Sequence, residues 1–407
     1  MSIRTSSDWV NPSANPTQDS FGRLRVSTPL SLFDSKQLVD NQPLSWDDQQ
    51  VSGTATSTYD ATKVCSTLAV SNLTAGRRVR QTFERFAYQP GKSQAILMTA
   101  NMGNSSNGIT KRLGYYDDNN GVFFQTVNGV LAVGIRKAGV DTIVPQPNWI
   151  FDSMDGTGPS KITLDLTKVQ IFNIDFEWLG VGSVRFGFVI SGQTFICHRQ
   201  DCANQLTAVY NLGPNQPLRY EIINSGTGPA ASMDCICGSV VSEAGYEFSG
   251  FQRSVDTGSG GFTSLNDASL YPIVAIRLKA SYTGASSITV ATMNLMSPST
   301  ISFRWVLVLN PTFTGTALSF SSAGTSSAIE FATPTNGTTI TAEGTKFQAG
   351  YVPGSNNTLS PITMPGPPLR LGATIAGVAD ILVLAAQRIV GTGAANYFGS
   401  LSWTEQT

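Results

Sequence analysis

The clearest regularity along the chain is alternation. Over residues 170–178, Phe172, Ile174, Phe176 and Trp178 alternate with Ile171, Asn173, Asp175 and Glu177. After Gly180-Val181-Gly182, the residues Val184, Phe186, Phe188 and Ile190 alternate with Arg185, Gly187 and Val189. A period of two puts successive side chains on opposite faces, so these segments predict two antiparallel strands sharing an apolar face. Residues 77–88, 94–100, 112–116, 122–126, 130–137, 218–223 and 231–241 read as further strands. Gln89-Pro90-Gly91-Lys92, Asp117-Asp118-Asn119-Asn120-Gly121 and Asn128-Gly129 supply the turns between several of them. Beyond a polar stretch punctuated by Gly245, Gly250, Gly258, Gly260 and Gly261, strands resume at 273–280, 287–292 and 302–309. Helical periodicity is nearly absent. Residues 34–42 read as one helical turn, and 380–390 as a buried strand or a short helix.

The prediction is therefore an all-β protein: two β-sandwich or jelly-roll-like domains after an extended N-terminal arm. The expected divisions are an arm over 1–45, a sandwich over 46–245, a Gly-rich linker over 246–267 and a second sandwich over 268–407.

The arm carries the most distinctive stretch, running from Asp19 through Phe21, Gly22, Arg23, Leu24, Arg25 and Val26 to Leu32, Phe33, Asp34 and Lys36. Leu24 and Val26 alternate with Arg23 and Arg25, giving a short strand with one cationic face. Gly22 permits a bend, Pro29 has no N–H to donate to a ladder, and Leu32 with Phe33 forms an apolar pair. Such a segment either docks on another surface, its guanidiniums finding carboxylates while the apolar pair hooks in, or completes its own domain's sheet. The residues alone leave both readings open.

This opening, Phe21-Gly22-Arg23-Leu24-Arg25-Val26-Ser27 followed by Leu32-Phe33-Asp34-Ser35-Lys36, resembles the signature of a family of virion structural proteins. These occur in tailed, mostly marine, bacteriophages and in some large DNA viruses. Tyr88-Gln89-Pro90-Gly91-Lys92-Ser93, Glu177-Trp178-Leu179-Gly180-Val181-Gly182, Arg219-Tyr220-Glu221-Ile222 and Asn310-Pro311-Thr312 extend the resemblance over most of the chain. It implies a non-enzymatic structural component of the particle, in the tail, a fibre or the outer capsid, made in the host cytoplasm and residing in the virion. The implied partners are other virion proteins and sister copies, a trimer being favoured by analogy with elongated viral β appendages. Under this reading Phe21 to Val26, with Leu32, Phe33 and Asp34, forms the docking motif. The alternative is a carbohydrate-binding module or glycan depolymerase acting on a host surface glycan.

Composition agrees with assembly. Charged residues make up 13% of 407, the net charge is −1, and the apolar fraction is 41%. Ordinary soluble domains carry roughly a quarter charged residues, and long charged side chains are depleted at interfaces. A near-neutral chain offers no electrostatic footprint for nucleic acid or an anionic membrane surface. No apolar run approaches the roughly 18 residues of a spanning helix, and the polar first 30 residues contain no signal-like apolar region.

Candidate chemistry is sparse. Of five cysteines, Cys197 and Cys202 form a C-x4-C and Cys235 and Cys237 a C-x-C, with His198 alongside. Neither spacing is a zinc knuckle, and the favoured reading is core thiols over a metal site or a disulfide. His198 is the only histidine, so any hydrolase triad would have to use it; a structural role at a strand end is the stronger reading. Asp175 and Glu177 are the one carboxylate pair worth weighing for glycoside chemistry, against the plainer view that they are solvent-facing charges. Asp117 to Gly121 has oxygen ligands for calcium but lacks the EF-hand spacing, and reads as a turn. Tyr115, Tyr116 and Trp149 read as exposed loop aromatics suited to sugars or interfaces. No catalytic residue, cofactor or metal is expected.

Overall fold

The computed structural model describes residues 18–22, 24, 28–104, 106–247, 250–284, 287–298, 301–353, 362–363 and 369–406. Among them the secondary structure is antiparallel strand with two short 3-10 turns and no α-helix. The chain divides into two compact units, Met1–Glu247 and Phe248–Thr407.

The first unit contains β1 (Leu30–Lys36), β2 (Trp46–Gly53), β3 (Thr56–Asp60), β4 (Cys65–Val70), β5 (Gly76–Thr82), β6 (Gln94–Asn101), β7 (Ile109–Tyr116) and β8 (Gly121–Val127). It continues with β9 (Val130–Lys137), β10 (Val140–Pro145), β11 (Gln170–Phe176), β12 (Val184–Ile190), β13 (Gln193–Gln200), β14 (Leu218–Asn224) and β15 (Ala231–Ser242). One sheet has the order β13-β12-β11-β6-β15-β4-β3, with β1 also pairing β15; the other runs β10-β9-β8-β7-β14-β5-β2. The inner faces meet through the residues that the alternation singled out. Phe124 of one sheet packs against Phe172, Phe186 and Phe188 of the other at 5.2, 5.4 and 5.2 Å between ring centroids, the interdigitation that fills a sandwich.

Three expectations change here. Tyr115, Tyr116 and Trp149 are all buried: Tyr115 donates to Phe86 O at 2.6 Å from inside the core, Tyr116 lies against Phe123, and Trp149 packs on Phe188. Period-two alternation assigns a residue to a face without revealing what covers that face. Residues 34–42 form no helical turn, because β1 continues to Lys36. Within the arm, Leu30–Lys36 is likewise a strand of this sandwich, antiparallel to β15, with Lys36 opposite Cys237.

The outer face of the seven-stranded sheet is charged yet closed. Glu221, fully buried, accepts from Arg77 Nε at 2.6 Å and Arg112 Nη1 at 3.1 Å. Burial alone would raise its carboxyl; Arg77, Arg112 and Arg219 outweigh that and hold it below the usual carboxylate range. Arg112 and Arg136 lie over the Phe123 ring at 5.6 and 5.4 Å. The ring lies flat because position 134 is glycine; a Cβ there would sit 2.6 Å from Phe123 Cε2.

In the second unit, Phe251–Asp256 pairs with Asn396–Gln406, which pairs with Ser287–Met296. Leu270–Leu278, Ile381–Val390, Ser302–Leu309 and Thr345–Val352 lie side by side in the other main sheet. Trp403, Tyr397, Ile276, Leu307 and Leu384 are buried in a common core. Residues 380–390, left open between strand and helix, are therefore strand from Ile381. The Gly-rich linker expected over 246–267 is also corrected. Phe251–Asp256 and Phe262–Thr263 are strands, and Gly258 and Gly261, both at positive φ, belong to the turn between them.

Candidate functional site

A cavity of about 490 Å³ opens at one edge of the eight-stranded sheet, where β11, β12 and β13 end. Four short stretches line it: residues 19–22, Glu177 after β11, Gly182 and Ser183 before β12, and Arg199, Asp201, Cys202, Ala203 and Gln205 at and after the end of β13.

Glu177 is placed by the turn read from sequence. Glu177 N donates to Ser183 O at 3.1 Å, and Gly182 N to Trp178 O at 2.8 Å. Position 182 accepts only glycine, since a Cβ would meet Glu177 Cγ at 2.4 Å. The Glu177 carboxylate accepts from Ser183 N at 3.2 Å and Ser183 Oγ at 3.4 Å. Burial pushes its carboxyl upward, partly opposed by those bonds. On the far wall, Arg199 forks onto Asp201 Oδ2 through Nε at 2.9 Å and Nη2 at 2.6 Å, while its guanidinium lies 5.7 Å from the Phe151 ring.

The remaining wall is the N-terminal strap, residues 18–22. Its turn is closed by Gly22 N to Asp19 O and Phe21 N to Asp19 Oδ1, both 2.9 Å; Gly22 has φ +75. Beneath it, Asp175 and Arg185 face one another across β11 and β12 and form an ion pair, both fully buried. Ser20 Oγ donates to Asp175 Oδ1 at 2.5 Å, Ser93 Oγ to the same oxygen at 2.8 Å, and Arg185 Nη2 to Gln18 O at 2.7 Å. Burial pulls the Arg185 guanidinium down to about 10.

The carboxylate pair of the sequence is thus split. Asp175 is not a solvent-facing charge but a buried anchor beneath the strap, whereas Glu177 reaches the cavity; the two do not flank a common cleft as glycoside cleavage by that pair would need. Of the docking motif, Phe21 and Gly22 line the cavity and Leu24 is exposed. Arg23, Arg25 and Val26 lie outside the described residues. Leu32 and Phe33 are not a free hook: both pack against the first unit's core, with Phe33 5.1 Å from Phe86 and 6.0 Å from Trp46. Asp34 is exposed beside Lys36 at 3.7 Å.

Sequence reasoning missed Ser183, Arg199, Asp201 and Gln205. The only local signal was the polar run 198–201 after an apolar strand. His198 itself is buried, and neither ring nitrogen reaches a hydrogen-bond partner among the described residues. Burial pushes its imidazole down to about 4, with Asp201 opposing. Cys65, Cys197, Cys202 and Cys235 are buried free thiols, and no group of three potential metal ligands occurs among the described residues. A smaller cavity of about 260 Å³ adjoins the far side of Cys202 and the loop to Tyr210. That loop is tied back by Tyr210 Oη to Glu177 O at 3.2 Å and Lys137 Nζ to Val209 O at 2.6 Å.

With carboxylates, a guanidinium, an amide, the hydroxyls of Ser20 and Ser183 and one partly exposed ring, the larger cavity matches ligands rich in hydroxyl groups. Its polar atoms give and accept directional bonds while Phe21 offers a flat apolar contact.

No family model matches the chain, and neither does any curated protein. Similar solved structures include the carbohydrate recognition domain of Emp47p, at 9% identity and TM-score 0.34, covering 52% of this chain and 95% of that one. A legume lectin-like domain from Entamoeba histolytica is similar at 8% identity and TM-score 0.32, covering 54% and 99%. A β-glucanase-type protein from Mycobacterium abscessus is similar at 10% identity and TM-score 0.36, covering 52% and 100%.

Proposed function

We propose that this chain is a non-enzymatic subunit of a virus particle whose first sandwich binds a saccharide in the cavity between the strap and the ends of β11–β13. The cavity carries the saccharide reading: its mixed polar lining and single ring suit a hydroxyl-rich ligand. Membership of a particle rests on the opening motif's resemblance and on a surface poor in charge, with 13% charged residues overall.

A glycan array probed with the full chain tests the first element. Defined glycans bind, and Ser183→Ala combined with Gln205→Ala weakens them at least about tenfold, as loss of two hydrogen bonds predicts. An array with no binder refutes it. Release of new reducing ends from a bound glycan, abolished by Glu177→Gln, would replace binding with cleavage. Antibody labelling of particles in electron micrographs tests the second element; absence of label from intact particles refutes it.

A further inference from the structure

We infer that the smaller cavity of the first unit is a second ligand site, one that takes a small carboxylate carrying an apolar chain. The inference goes beyond the saccharide reading of the larger cavity and does not depend on it.

The walls of this cavity come from β9 and β10 at the edge of one sheet, from the end of β13 at the edge of the other, and from the loop to Tyr210. Leu131, Val133 and Ile135 form the inner row of β9 and belong to the core. A period of two continues that row to Lys137. Thr142 of β10 lies opposite Ile135, and Gln200 of β13 lies opposite the core residue Val184. Residues directly opposite one another share a face. Three inner rows therefore end in an ammonium, a hydroxyl and an amide where the core gives way to solvent. Behind them the lining is apolar, since Ile135, Cys202 and Tyr210 are all buried.

Charge fixes one end of the ligand. Lys137 is half-buried, its Nζ donates to Val209 O at 2.6 Å, and no carboxylate pairs with it among the described residues. An ammonium has three donors, so two remain for a ligand. None of the described residues lining the cavity is acidic. Asp201, next to Gln200 in the chain, faces the larger cavity and is held there by Arg199. An unmatched cation beside an apolar floor is complementary to an anionic head on an apolar body. The volume of about 260 Å³ holds about nine water-sized groups at roughly 30 Å³ each, close to the heavy-atom count of octanoate.

The site is formed before any ligand arrives. Leu206 N and Gln205 N donate to Cys202 O at 3.1 and 3.2 Å, and Tyr210 N donates to Gly180 O at 2.8 Å. Gly180 has φ +81, and a Cβ there would sit 2.9 Å from Val209 Cγ1, so the loop closes tightly over this turn. Binding then has little of the loop left to order.

The test is titration calorimetry of the full chain with straight-chain carboxylates of four to ten carbons. Octanoate binds saturably, each methylene added up to that length strengthens binding about fourfold, and longer chains gain nothing further. 1-Octanol binds at least about tenfold more weakly, because it lacks the charge that Lys137 meets. Lys137→Met keeps the stem and removes that preference, while octanol affinity stays within about twofold. Ala208→Phe adds a ring at an exposed lining position; it keeps a cooperative melt and weakens both ligands at least about tenfold. Absence of saturation at millimolar octanoate overturns the inference, as does an affinity that ignores chain length. Equal weakening of octanoate and octanol by Lys137→Met also overturns it, since packing and not charge would then be at work. If Lys137→Met fails to fold, the octanoate-to-octanol ratio and Ala208→Phe decide by themselves.

Discussion

Replacing Glu221 by Gln should cost the first unit more than any single surface charge. The side chain is fully buried on the outer face of the seven-stranded sheet and is held by Arg77, Arg112 and the Tyr116 hydroxyl. Gln preserves shape and one acceptor but removes the anion from among three guanidiniums. Each close pair is worth roughly 4 kcal/mol at an effective dielectric of about 20. Desolvation of both partners offsets much of this, and removing one partner of a buried pair costs about 3–5 kcal/mol. For a domain of this size each kcal/mol moves Tm by about 2–4 °C, so calorimetry should show the first unit melting about 6–20 °C lower. The pH dependence has a definite sign. The folded carboxyl lies below its ordinary value, so its stabilisation is present above the unfolded pKa and is lost as pH falls through the folded one. The variant should lack that acid-side loss. A Tm drop of under about 2 °C, corresponding to less than 1 kcal/mol, would refute the view that Glu221 neutralises this face. So would an unchanged acid limb.

Three further outcomes follow from the same physics. His198, lowered from 6.5 to about 4 by burial, makes folding stability fall by about 1.4 kcal/mol per pH unit below 6.5, levelling near pH 4; urea midpoints of wild type and His198→Phe should diverge only there. Gly134→Ala, which sets a Cβ 2.6 Å from the Phe123 ring, should destabilise by about 1–3 kcal/mol in urea unfolding, and a neutral effect would show that the ring is not held flat. The Cys65, Cys197, Cys202 and Cys235 thiols, buried and raised by desolvation, should resist a thiol reagent until the protein unfolds, and stoichiometric zinc by elemental analysis would overturn their assignment as core thiols.

The strands of the first unit were legible because Phe172, Ile174 and Phe186 obey a period of two and because Asn128-Gly129 marks its hairpin turn. Phe251–Asp256 was not, since its single buried residue, Val255, gives too little contrast in a Gly-rich setting. The site was legible in fragments. Glu177 and the Phe21-Gly22 pair each stood out, for unrelated reasons. Their meeting with Arg199 and Asp201 depends on β13 returning beside β12 and on the strap lying over Asp175 of β11 and Arg185 of β12, contacts between residues far apart in sequence. Asp175 misled because an acidic residue on a strand's polar face normally meets water; here another stretch of chain covers it.

The pairing of β1 with β15 bears on how the protein is made. Leu30 finds Ser242, so nearly the whole unit must leave the ribosome before its first strand has a partner. Loop closure over such a span is slow compared with the local hairpins β7–β8 and β8–β9. During that interval Leu32 and Phe33 are exposed on an unpaired strand while the β15 edge stands vacant. At high local concentration the same pairing between two nascent chains yields a swapped dimer. Refolding yield should therefore fall with protein concentration more steeply than for a sandwich whose terminal strand pairs locally.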